Sequence, residues 1–470
     1  MEWPSLSREI QWPNGTIIHY SGSEAFEAAT LRWSTYKAPR FAAAITPMNE
    51  EAIADIVKVA RAANIPFLAT GGRHGYGTTL GNLQGGLAID LSQLNAIKVD
   101  KAAGTVTVGA GVRIGDAMRP VYEVGYELPV GSCPNVGLIG ATLGGGVGVL
   151  QGLFGLIIDS LLSVRLITAN GDLVEASTSS NPDLFWAIRG AGFNFGIITS
   201  ATYKLNKAVN DGKIMTADMV YPLNMKSAYF KALQAFENEM PQELAIISTI
   251  RWDAVAGETQ IIGTFVYSGT EHRGRQILAP FFELDPPVVR VSVVPYTELF
   301  PTILFGWIPA VSTPGGIHDI YSANVRKFEL STLNSACDKF DAFYRAYPDG
   351  RSSVGVLETF STHAVSSVSA DATAYPWRNA KGNFMFQMSW SELGSSVEEA
   401  ANILARELRR DFSKTSGFDD LSVYVSYAHG DETVEQIYGK EKLPRLVSLK
   451  KEWDPDNVFR YNNSLPLEYP

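Results

Sequence analysis

Two nucleophilic side chains of this chain stand in glycine-rich segments. His74 lies in residues 70–79 (TGGRHGYGTT), and Cys133 lies in residues 131–137 (GSCPNVG), which lead into a further glycine cluster at 144–148 (GGGVG). Because glycine has no Cβ, its backbone N–H groups can approach a phosphate closely. The two segments therefore predict a cradle for a dinucleotide, with an imidazole and a thiol placed to bond to it covalently.

The composition is that of an ordinary folded protein. The 470 residues are 46% hydrophobic and 19% charged, which gives a large core and, by length, about three domains. The net charge of −10 and the lack of any basic run argue against binding to nucleic acid or to an anionic membrane surface. The 2 cysteines exclude a disulfide framework and a cysteine-based metal cluster, and no histidine pair has the spacing of metal ligands.

The chain start and one uncharged stretch bear on location. The first residues lack the basic and apolar regions of a signal peptide, so we expect a cytoplasmic protein or a mature secreted form whose signal has been removed. Residues 14–16 (NGT) match the N-glycosylation pattern, which also arises by chance. Residues 128–158 carry no charge and could span a bilayer by length, but Pro129, Pro134 and repeated glycines interrupt them. This stretch predicts a buried cofactor cradle instead.

Hydrophobic periodicity predicts an α+β fold with a change of texture near residue 206. Before that point the pattern indicates helices at 50–63, 114–125 and 183–189, strands at 66–69, 87–91, 105–111, 161–168 and 196–205, and a hairpin turn at 170–172. After it, strands at 244–250, 259–266 and 384–390 alternate with amphipathic helices at 332–347 and 397–409. We therefore expect a first domain over residues 1–205 and a second domain with an antiparallel sheet covered by helices.

The glycine cluster at 144–148 also mimics the fingerprint of a nicotinamide-binding fold. That fold needs an acidic residue about 20 positions further on, at the end of a second strand, and regular βαβ repetition. The chain has neither, so this interpretation is rejected.

Five segments together resemble the flavin-linked oxidases of the vanillyl-alcohol-oxidase and berberine-bridge-enzyme type. They are the loop around His74, residues 133–137 (CPNVG), residues 181–192 (NPDLFWAIRGAG), residues 424–427 (YVSY), and the tail at 454–459 (DPDNVF) with 462–466 (NNSLP). The resemblance covers nearly the whole length. Within this group, the chain is most similar to fungal flavoproteins encoded beside secondary-metabolite pathways.

The resemblance implies FAD as the cofactor. In such proteins the pyrophosphate lies against the glycine loops, the flavin faces a cleft roofed by a domain here placed at 206–425, and residues 426–470 return to complete the FAD domain. In members with two covalent links, the His74 position bonds the flavin 8α carbon and the Cys133 position bonds carbon 6. The cofactor-binding residues implied are His74, Cys133, Gly71, Gly72, Arg73, Gly75, Val136, Gly137, Gly140, Gly144, Gly145, Gly148, Ile197 and Asn462.

Some positions depart from the family pattern. Arg73 stands where glycine often precedes the histidine, Ile139 and Ala141 replace a glycine and a histidine, and Ser426 replaces the asparagine of Tyr-x-Asn-Tyr. These departures bear on the double covalent link more than on FAD binding. Without the link, His74 would be a loop histidine that bonds a phosphate, and Cys133 a small buried side chain.

The flavin would perform the redox step, and the protein would supply orientation and a base. Tyr427 is the candidate base if neighbours lower its pKa, and a structural hydroxyl is the alternative. Tyr76 is expected to touch the flavin or substrate, and Gln387 to point into the cleft or to solvent. His429, Glu358 and His363 are reserve candidates, and Val136 matches the position that gates oxygen access, with plain packing as its alternative.

The sequence thus predicts an FAD-dependent oxidase that takes hydride from a small, natural-product-like substrate and reduces O₂ to H₂O₂. The alternatives are a flavin-containing cyclase with a non-redox reaction, a carbohydrate oxidase on the same scaffold, and a binding protein built on a degenerate flavin fold. The aromatic residues expected to line the cleft are Phe305, Trp307, Tyr375 and Trp390.

Overall fold

The computed structural model describes residues 12–13 and 15–470. The chain start on which the signal-peptide expectation depends, and Asn14 of the glycosylation pattern, lie outside the described residues. None of the helices in the described part combines the length and the apolarity that a membrane crossing requires.

Two sheets and a short ribbon make up the part of the fold before residue 208. The first sheet has the order β1-β2-β4-β3, with parallel pairing of β4 to both β2 and β3; the second is antiparallel, with the order β5-β6-β10-β8-β9. The strands are β1 Ile18–Tyr20, β2 Arg40–Ile45, β3 Phe67–Thr70, β4 Gln84–Asp90, β5 Ile97–Asp100, β6 Thr105–Gly109, β7 Tyr126–Glu127, β8 Leu161–Ile167, β9 Leu173–Ser177, β10 Ile197–Lys204 and β11 Asn206–Lys207. The short strands β7 and β11 pair with each other.

Seven short helices connect these strands. They are α1 Glu24–Thr30, α2 Glu50–Ala62, α3 Ile114–Tyr122, α4 Leu138–Gly144, α5 Gln151–Phe154, α6 Ile157–Ser160 and α7 Pro182–Ala191. The uncharged stretch at 128–158 contains α4, α5 and α6 and is largely buried, as expected for a cradle rather than a membrane span.

A seven-stranded antiparallel sheet follows, with the order β15-β12-β14-β13-β17-β18-β16. Its strands are β12 Lys213–Pro222, β13 Leu244–Asp253, β14 Glu258–Tyr267, β15 Val288–Pro295, β16 Ile317–Val325, β17 Val354–Phe360 and β18 Gly382–Trp390. The helices of this part and of the tail are α8 Lys226–Gln234, α9 Glu271–Ile277, α10 Ala279–Phe282, α11 Leu299–Thr302, α12 Ile308–Val311, α13 Leu330–Ala346, α14 His363–Ser367, α15 Ser396–Thr415, α16 Val434–Tyr438 and α17 Leu443–Trp453.

Long helices cover one face of this sheet. The helix α13 contacts β13 and β14, and α15 contacts β16 and β18. Because strand residues alternate between faces, Phe384, Phe386 and Met388 of β18 pack under these helices and are buried. The opposite face of the sheet is left for the cleft.

The elements agree with the sequence predictions wherever periodicity was strong. The helix expected at 50–63 is α2, capped by the Asn49 side chain, which accepts a hydrogen bond from the Ala52 amide at 2.9 Å. The hairpin expected at 170–172 joins β8 and β9, with Gly171 at a φ of +79°. The helix expected at 114–125 ends earlier, at Tyr122, although the glycine stop at Gly125 does adopt a positive φ. The predicted domain limits remain predictions.

A buried ion pair within the C-terminal tail also bonds to the first part of the chain. Lys450 Nζ lies 2.6 Å from Asp454 Oδ2, and both side chains are fully buried. Lys450 also donates to the Asn194 carbonyl at 3.0 Å, while Asp454 accepts from the Val458 and Phe459 amides at 2.7 and 2.9 Å. These bonds satisfy both charges, so the tail expected as a loop at 454–460 is fixed without regular secondary structure.

The buried His429 joins the C-terminal segment to the first glycine loop and to the large sheet. The carbonyl of His429 accepts from the Thr78 amide at 2.6 Å, and its ring lies on Tyr321 at 3.9 Å between ring centres. Its Nδ1 bonds Asp431 at 3.0 Å, and Nε2 lies 3.1 Å from Asp319 as an ion pair without aligned hydrogen-bond geometry. Burial opposes protonation, but the two carboxylates outweigh it and raise the pKa of His429 to about 9.

His429 is therefore expected to contribute pH-dependent stability. A folded pKa of about 9 against an ordinary value of 6.5 gives at most about 3 kcal/mol, complete below pH 6.5 and lost as the pH rises through 9. Denaturant unfolding of wild type and His429→Gln at pH 6 and pH 10 should show a stability difference that is large only at the lower pH. His363→Gln, at an exposed histidine, is the control, and an equal His429→Gln penalty at both pH values would contradict the assignment.

Candidate active site

The two glycine segments predicted from the sequence meet backbone to backbone. A Cβ on Gly72 would overlap the Gly137 nitrogen, and a Cβ on Gly137 would come within 2.8 Å of the Gly72 nitrogen. Gly71 is similarly closed in, since its Cβ would lie 2.5 Å from the Ala110 carbonyl oxygen. By contrast, a Cβ on Gly140 would meet nothing within 4 Å, and this residue is exposed on α4. The loops thus form a paired cradle with open space on one side.

Buried polar atoms at this cradle fit a polar ligand. Among the described residues, the Thr70 hydroxyl, at the start of the first loop, has no hydrogen-bond partner. Arg32 donates to the Gly75 carbonyl at 2.8 Å through one terminal nitrogen, but its buried Nη1 has no partner in the described part of the chain, and neither has the acceptor Asn463 Oδ1. Because unpaired buried polar atoms are costly, the close glycines, the two donors and this acceptor fit the pyrophosphate and polar groups of FAD.

Arg73 occupies a backbone conformation that explains why glycine is common there. Its φ is +55°, in the left-handed region that disfavours side chains by about 1–3 kcal/mol. The guanidinium compensates by pairing with the buried Asp90 at 2.5 Å and by donating to the Leu31 carbonyl at 3.2 Å. The departure at Arg73 therefore preserves the loop that carries His74.

His74 and Cys133 lie side by side. The Cys133 sulfur is 3.8 Å from His74 Nε2 and 3.2 Å from the Ser312 hydroxyl. The His74 ring stacks on Trp33 at 4.7 Å with only 10° between the planes, and Trp33 is held by its bond to the Val311 carbonyl at 3.0 Å. The 8α and 6 positions share one edge of the flavin, so adjacent imidazole and thiol groups suit attachment at that edge.

The two groups differ in how ready they are to react. Burial lowers the pKa of His74 to about 4, so its imidazole is neutral and nucleophilic at physiological pH. Burial raises the pKa of the Cys133 thiol, while the hydrogen bond with Ser312 and the Asn135 and Val136 amides partly oppose this rise. The thiolate character that attachment through Cys133 needs is therefore not present in the free site.

A buried carboxylate lies next to the loop that carries Cys133. Glu358 on β17 accepts hydrogen bonds from the Ser132 hydroxyl at 2.6 Å and from the Tyr427 hydroxyl at 2.8 Å. Burial raises the pKa of Glu358 to about 7, even though both hydroxyls favour the ionised form. Burial and the Glu358 charge hold the pKa of Tyr427 well above its ordinary value. The neighbours of Tyr427 thus raise its pKa, and the condition under which Tyr427 itself would be the base is not met.

The free face of the large sheet forms the cleft beside this pair. Glu358 stands opposite Asn383 of β18 in the register, so Met385 and Gln387 follow along the same face, and both are partly exposed. The Tyr76 hydroxyl lies 4.0 Å from the Met385 sulfur, and the Tyr76 ring stands edge-on to Trp33 at 5.9 Å. Gln387 thus faces the cleft, where its amide lies 3.4 Å from the Ser389 hydroxyl.

Other predicted residues lie near the cradle but have packing roles within the protein. A Cβ on Gly144 would strike the Ser426 side chain, one on Gly145 would strike Tyr375, and one on Gly148 would strike the Val130 carbonyl. Val136 is half-buried against Gly72, and the side chain of Asn462 accepts from Asn463 at 3.4 Å. Ile197 is buried in β10, where it pairs with Ile167, and His363 lies at the exposed start of α14. Neither position brings its side chain to the site.

Two of the aromatic residues expected in the cleft are in the core. Trp390 packs edge-on against Tyr36 at 5.1 Å on the helix-covered face, and Tyr375 is buried beside Tyr424. Strand position decides this, because Trp390 shares its face with Phe386 and Met388. Phe305 and Trp307 do lie towards the cleft.

Sequence reasoning missed Trp33, Ser132 and Ser312. Ser132 could have been noticed as the neighbour of Cys133, but its partner Glu358 is 226 positions away. Trp33 and Ser312 stand in no motif and reach the site through the fold alone. The described residues contain no group of three or more His, Cys, Asp or Glu side chains that could hold a metal ion.

Comparisons with known proteins agree with this geometry. The family "FAD binding domain" matches residues 41–177, and "Berberine and berberine like" matches residues 423–466. The FAD-linked oxidoreductase fogF of Aspergillus ruber is 44% identical over 99% of this chain and 94% of its own. The solved structure of Physcomitrella patens BBE-like 1 has a TM-score of 0.85 at 23% identity, covering 97% of this chain and 98% of that one.

A second solved structure is that of glucooligosaccharide oxidase from Acremonium strictum, which carries a 6-S-cysteinyl, 8α-N1-histidyl FAD. It has a TM-score of 0.79 at 23% identity, covering 97% of this chain and 98% of that one. The fold and the paired cradle thus define an FAD-binding flavoprotein of the vanillyl-alcohol-oxidase type. Within that class, the chain belongs to the berberine-bridge-enzyme-like family of FAD-linked oxidoreductases.

Two glycine substitutions should separate packing from cofactor contact. Gly72→Ala forces the loops apart and should lower both stability and FAD content, whereas Gly140→Ala has room within the protein and suits a helix, so stability should stay or rise by up to about 1 kcal/mol. Gly140→Ala should nevertheless bind less FAD if this residue lines the cradle. Flavin absorbance per mole of protein and thermal unfolding measure the two effects. Full FAD content in Gly140→Ala would remove Gly140 from the cofactor site.

Proposed function

We propose that this protein is an oxidase that takes hydride from an alcohol-type carbon of a small organic molecule and returns the electrons to O₂. The observation that carries this proposal is the Ser132–Glu358–Tyr427 hydrogen-bonded chain, one residue from the Cys133 attachment position. Bound FAD supplies the hydride acceptor and, on reoxidation by O₂, gives H₂O₂.

The protein's share of the reaction is the removal of a proton. Tyr427 cannot hold a standing negative charge, because burial and Glu358 raise its pKa. Its hydroxyl can pass its own proton to the Glu358 carboxylate, 2.8 Å away, while its oxygen accepts a proton from the substrate. Glu358 is then the final base and Tyr427 the relay. The Ser132 hydroxyl holds the other carboxylate oxygen at 2.6 Å, which fixes the orientation of the base.

This arrangement favours redox chemistry over the cyclase and binding-protein alternatives. A base with a pKa of about 7, buried beside the flavin attachment residues, matches the removal of a hydroxyl proton during hydride loss. A cleft that only binds, or that templates a cyclisation without proton transfer, has no need of it. Valine at position 136 is the basis for proposing O₂ as the electron acceptor.

Glu358→Gln should lose most of the activity and its pH dependence. The base works when ionised, so wild-type flavin reduction should rise as the pH passes through about 7, while the amide cannot accept the proton and should react about 10²–10⁴-fold more slowly. The measurement is anaerobic bleaching of the flavin by a panel of primary alcohols, followed by air and a peroxidase assay for H₂O₂. Gln387→Glu is unsuitable as a control, since it would add a new carboxylate to the same cleft.

His363→Gln is the matched control because its exposed ring lies away from the site, and it should bleach at the wild-type rate. Substrate consumption without bleaching would favour the cyclase. Bleaching without H₂O₂ in air would leave an FAD-linked dehydrogenase. An unchanged pH profile in Glu358→Gln would refute the assigned base.

We also propose that FAD is held covalently through His74, with a second link through Cys133. The neutral imidazole and the thiol 3.8 Å from it support this proposal. Acid precipitation should leave yellow protein with an added FAD mass in wild type, in His74→Ala and in Cys133→Ser, while the double variant should release its colour. Cys337→Ala, at the other and fully buried cysteine, should behave as wild type. Release of all colour from wild type would show that the FAD is held non-covalently.

A further inference from the structure

A strained turn lies beside the cleft and is pinned by a buried carboxylate. Leu304, Phe305 and Gly306 all have positive φ, of +52°, +54° and +80°, and two of them carry side chains that disfavour this region. Asp218 accepts from the Leu304 amide at 3.0 Å, the Phe305 amide at 2.8 Å and the Thr264 hydroxyl at 2.7 Å. The turn is thus held in one conformation from the sheet below it.

The turn presents an aromatic surface to the cleft, beside the Arg251 guanidinium of β13. Trp307 follows it directly, is 39% exposed and lies 5.8 Å from the Phe305 ring. The Arg251 guanidinium stacks 4.6 Å from the centre of the Trp307 ring. Within the part of the chain that the structure describes, Nη1 is the only atom of this guanidinium with an acceptor, Asp253 Oδ2 at 3.2 Å. The other donors of the fork are available to a ligand.

Arg251 and the base lie on the same face of the sheet, far apart. Ile247 stands opposite Glu358 in the register, and residues 247, 249 and 251 of β13 share a face. Four residues along a strand span roughly 13 Å. Between the two ends lie Val356, Met385 and Gln387, a mainly apolar floor whose side chains are partly exposed. The cleft therefore has a proton-accepting end and an aromatic end that holds a guanidinium paired through one nitrogen with Asp253.

We infer that Arg251 and Trp307 form a recognition site for the far end of the substrate, and that this substrate is an extended, planar molecule with a carboxylate or phenolate roughly 13 Å from the reacting end. This inference rests on the proposed function of the same cleft. A guanidinium stacked on an indole offers a planar fork to a carboxylate and a ring face to a conjugated system. The segment also reaches the flavin attachment residues, since Ser312 contacts Cys133 at 3.2 Å.

The test uses probes with one common reacting group. They are 4′-(hydroxymethyl)biphenyl-4-carboxylate, its neutral carboxamide, and the shorter 4-(hydroxymethyl)benzoate, and binding to the holoenzyme is read from perturbation of the flavin spectrum. The long acid should bind about tenfold more tightly than either of the others, the worth of one charge-assisted contact. Arg251→Gln should remove this preference, and Arg251→Lys should retain part of it.

Arg351→Gln is the matched control. The Arg351 guanidinium stacks 4.4 Å from the centre of the Trp252 ring. Trp252 follows Arg251 in β13, so the two side chains lie on opposite faces of the sheet. The Arg351→Gln variant should leave the preference for the long acid unchanged, whereas Asp218→Asn should weaken this preference by loosening the turn. Equal affinity for acid and carboxamide in wild type, or a preference that survives in Arg251→Gln, would overturn the inference. Since binding is read from the initial spectral shift, which precedes any flavin bleaching, an acid preference without later bleaching would retain the inference and reject the oxidase.

Discussion

The contact on which the site depends is the approach of Gly72 to Gly137. The two loops that carry His74 and Cys133 touch through backbone atoms, and neither glycine has room for a methyl group. This contact sets the 3.8 Å separation between the imidazole and the thiol. It also places Ser132 where its hydroxyl reaches Glu358 on the large sheet. The cradle and the base are thereby assembled by the same close packing.

Three buried acidic groups have different roles because their ion-pair and hydrogen-bond partners differ. Asp454 meets a buried lysine and two amides, and these contacts fix the tail. Asp218 is surrounded by amides and a hydroxyl, and it holds a strained turn although burial raises its pKa. Glu358 accepts from two hydroxyl donors among the described residues, and these offset burial incompletely and leave its pKa at about 7. A carboxyl group in that range can take up and release a proton, while the other two have structural roles.

Local sequence patterns predicted the parts of this protein that are fixed locally. The helix α2 has a capping residue and an apolar stripe, and the glycine loops owe their shape to their own residues. Contacts set by tertiary packing were not accessible in this way. Trp33 reaches His74 from outside any motif, and Trp390 was misplaced because its hydrophobicity does not reveal which face of β18 it occupies. Glu358 could be named as a candidate, but its partners Ser132 and Tyr427 come from two distant segments.

In the reaction proposed above, the pairing of Tyr427 with Glu358 would allow the base to be deeply buried. A lone tyrosinate would carry its charge in a poorly solvated site, and a lone carboxylate would have to reach the substrate itself. With the two joined at 2.8 Å, the substrate proton and the charge need not be in the same place: the phenolic oxygen takes the incoming proton, and the charge is lost at Glu358. Because Ser132 holds that carboxylate and precedes Cys133, a flavin bonded to Cys133 would be fixed in position relative to the base. Attachment would then order the site as well as tune the cofactor. The departures from the family pattern at Arg73 and Ser426 would therefore have to preserve the position of the flavin relative to the base, and not only the binding of FAD.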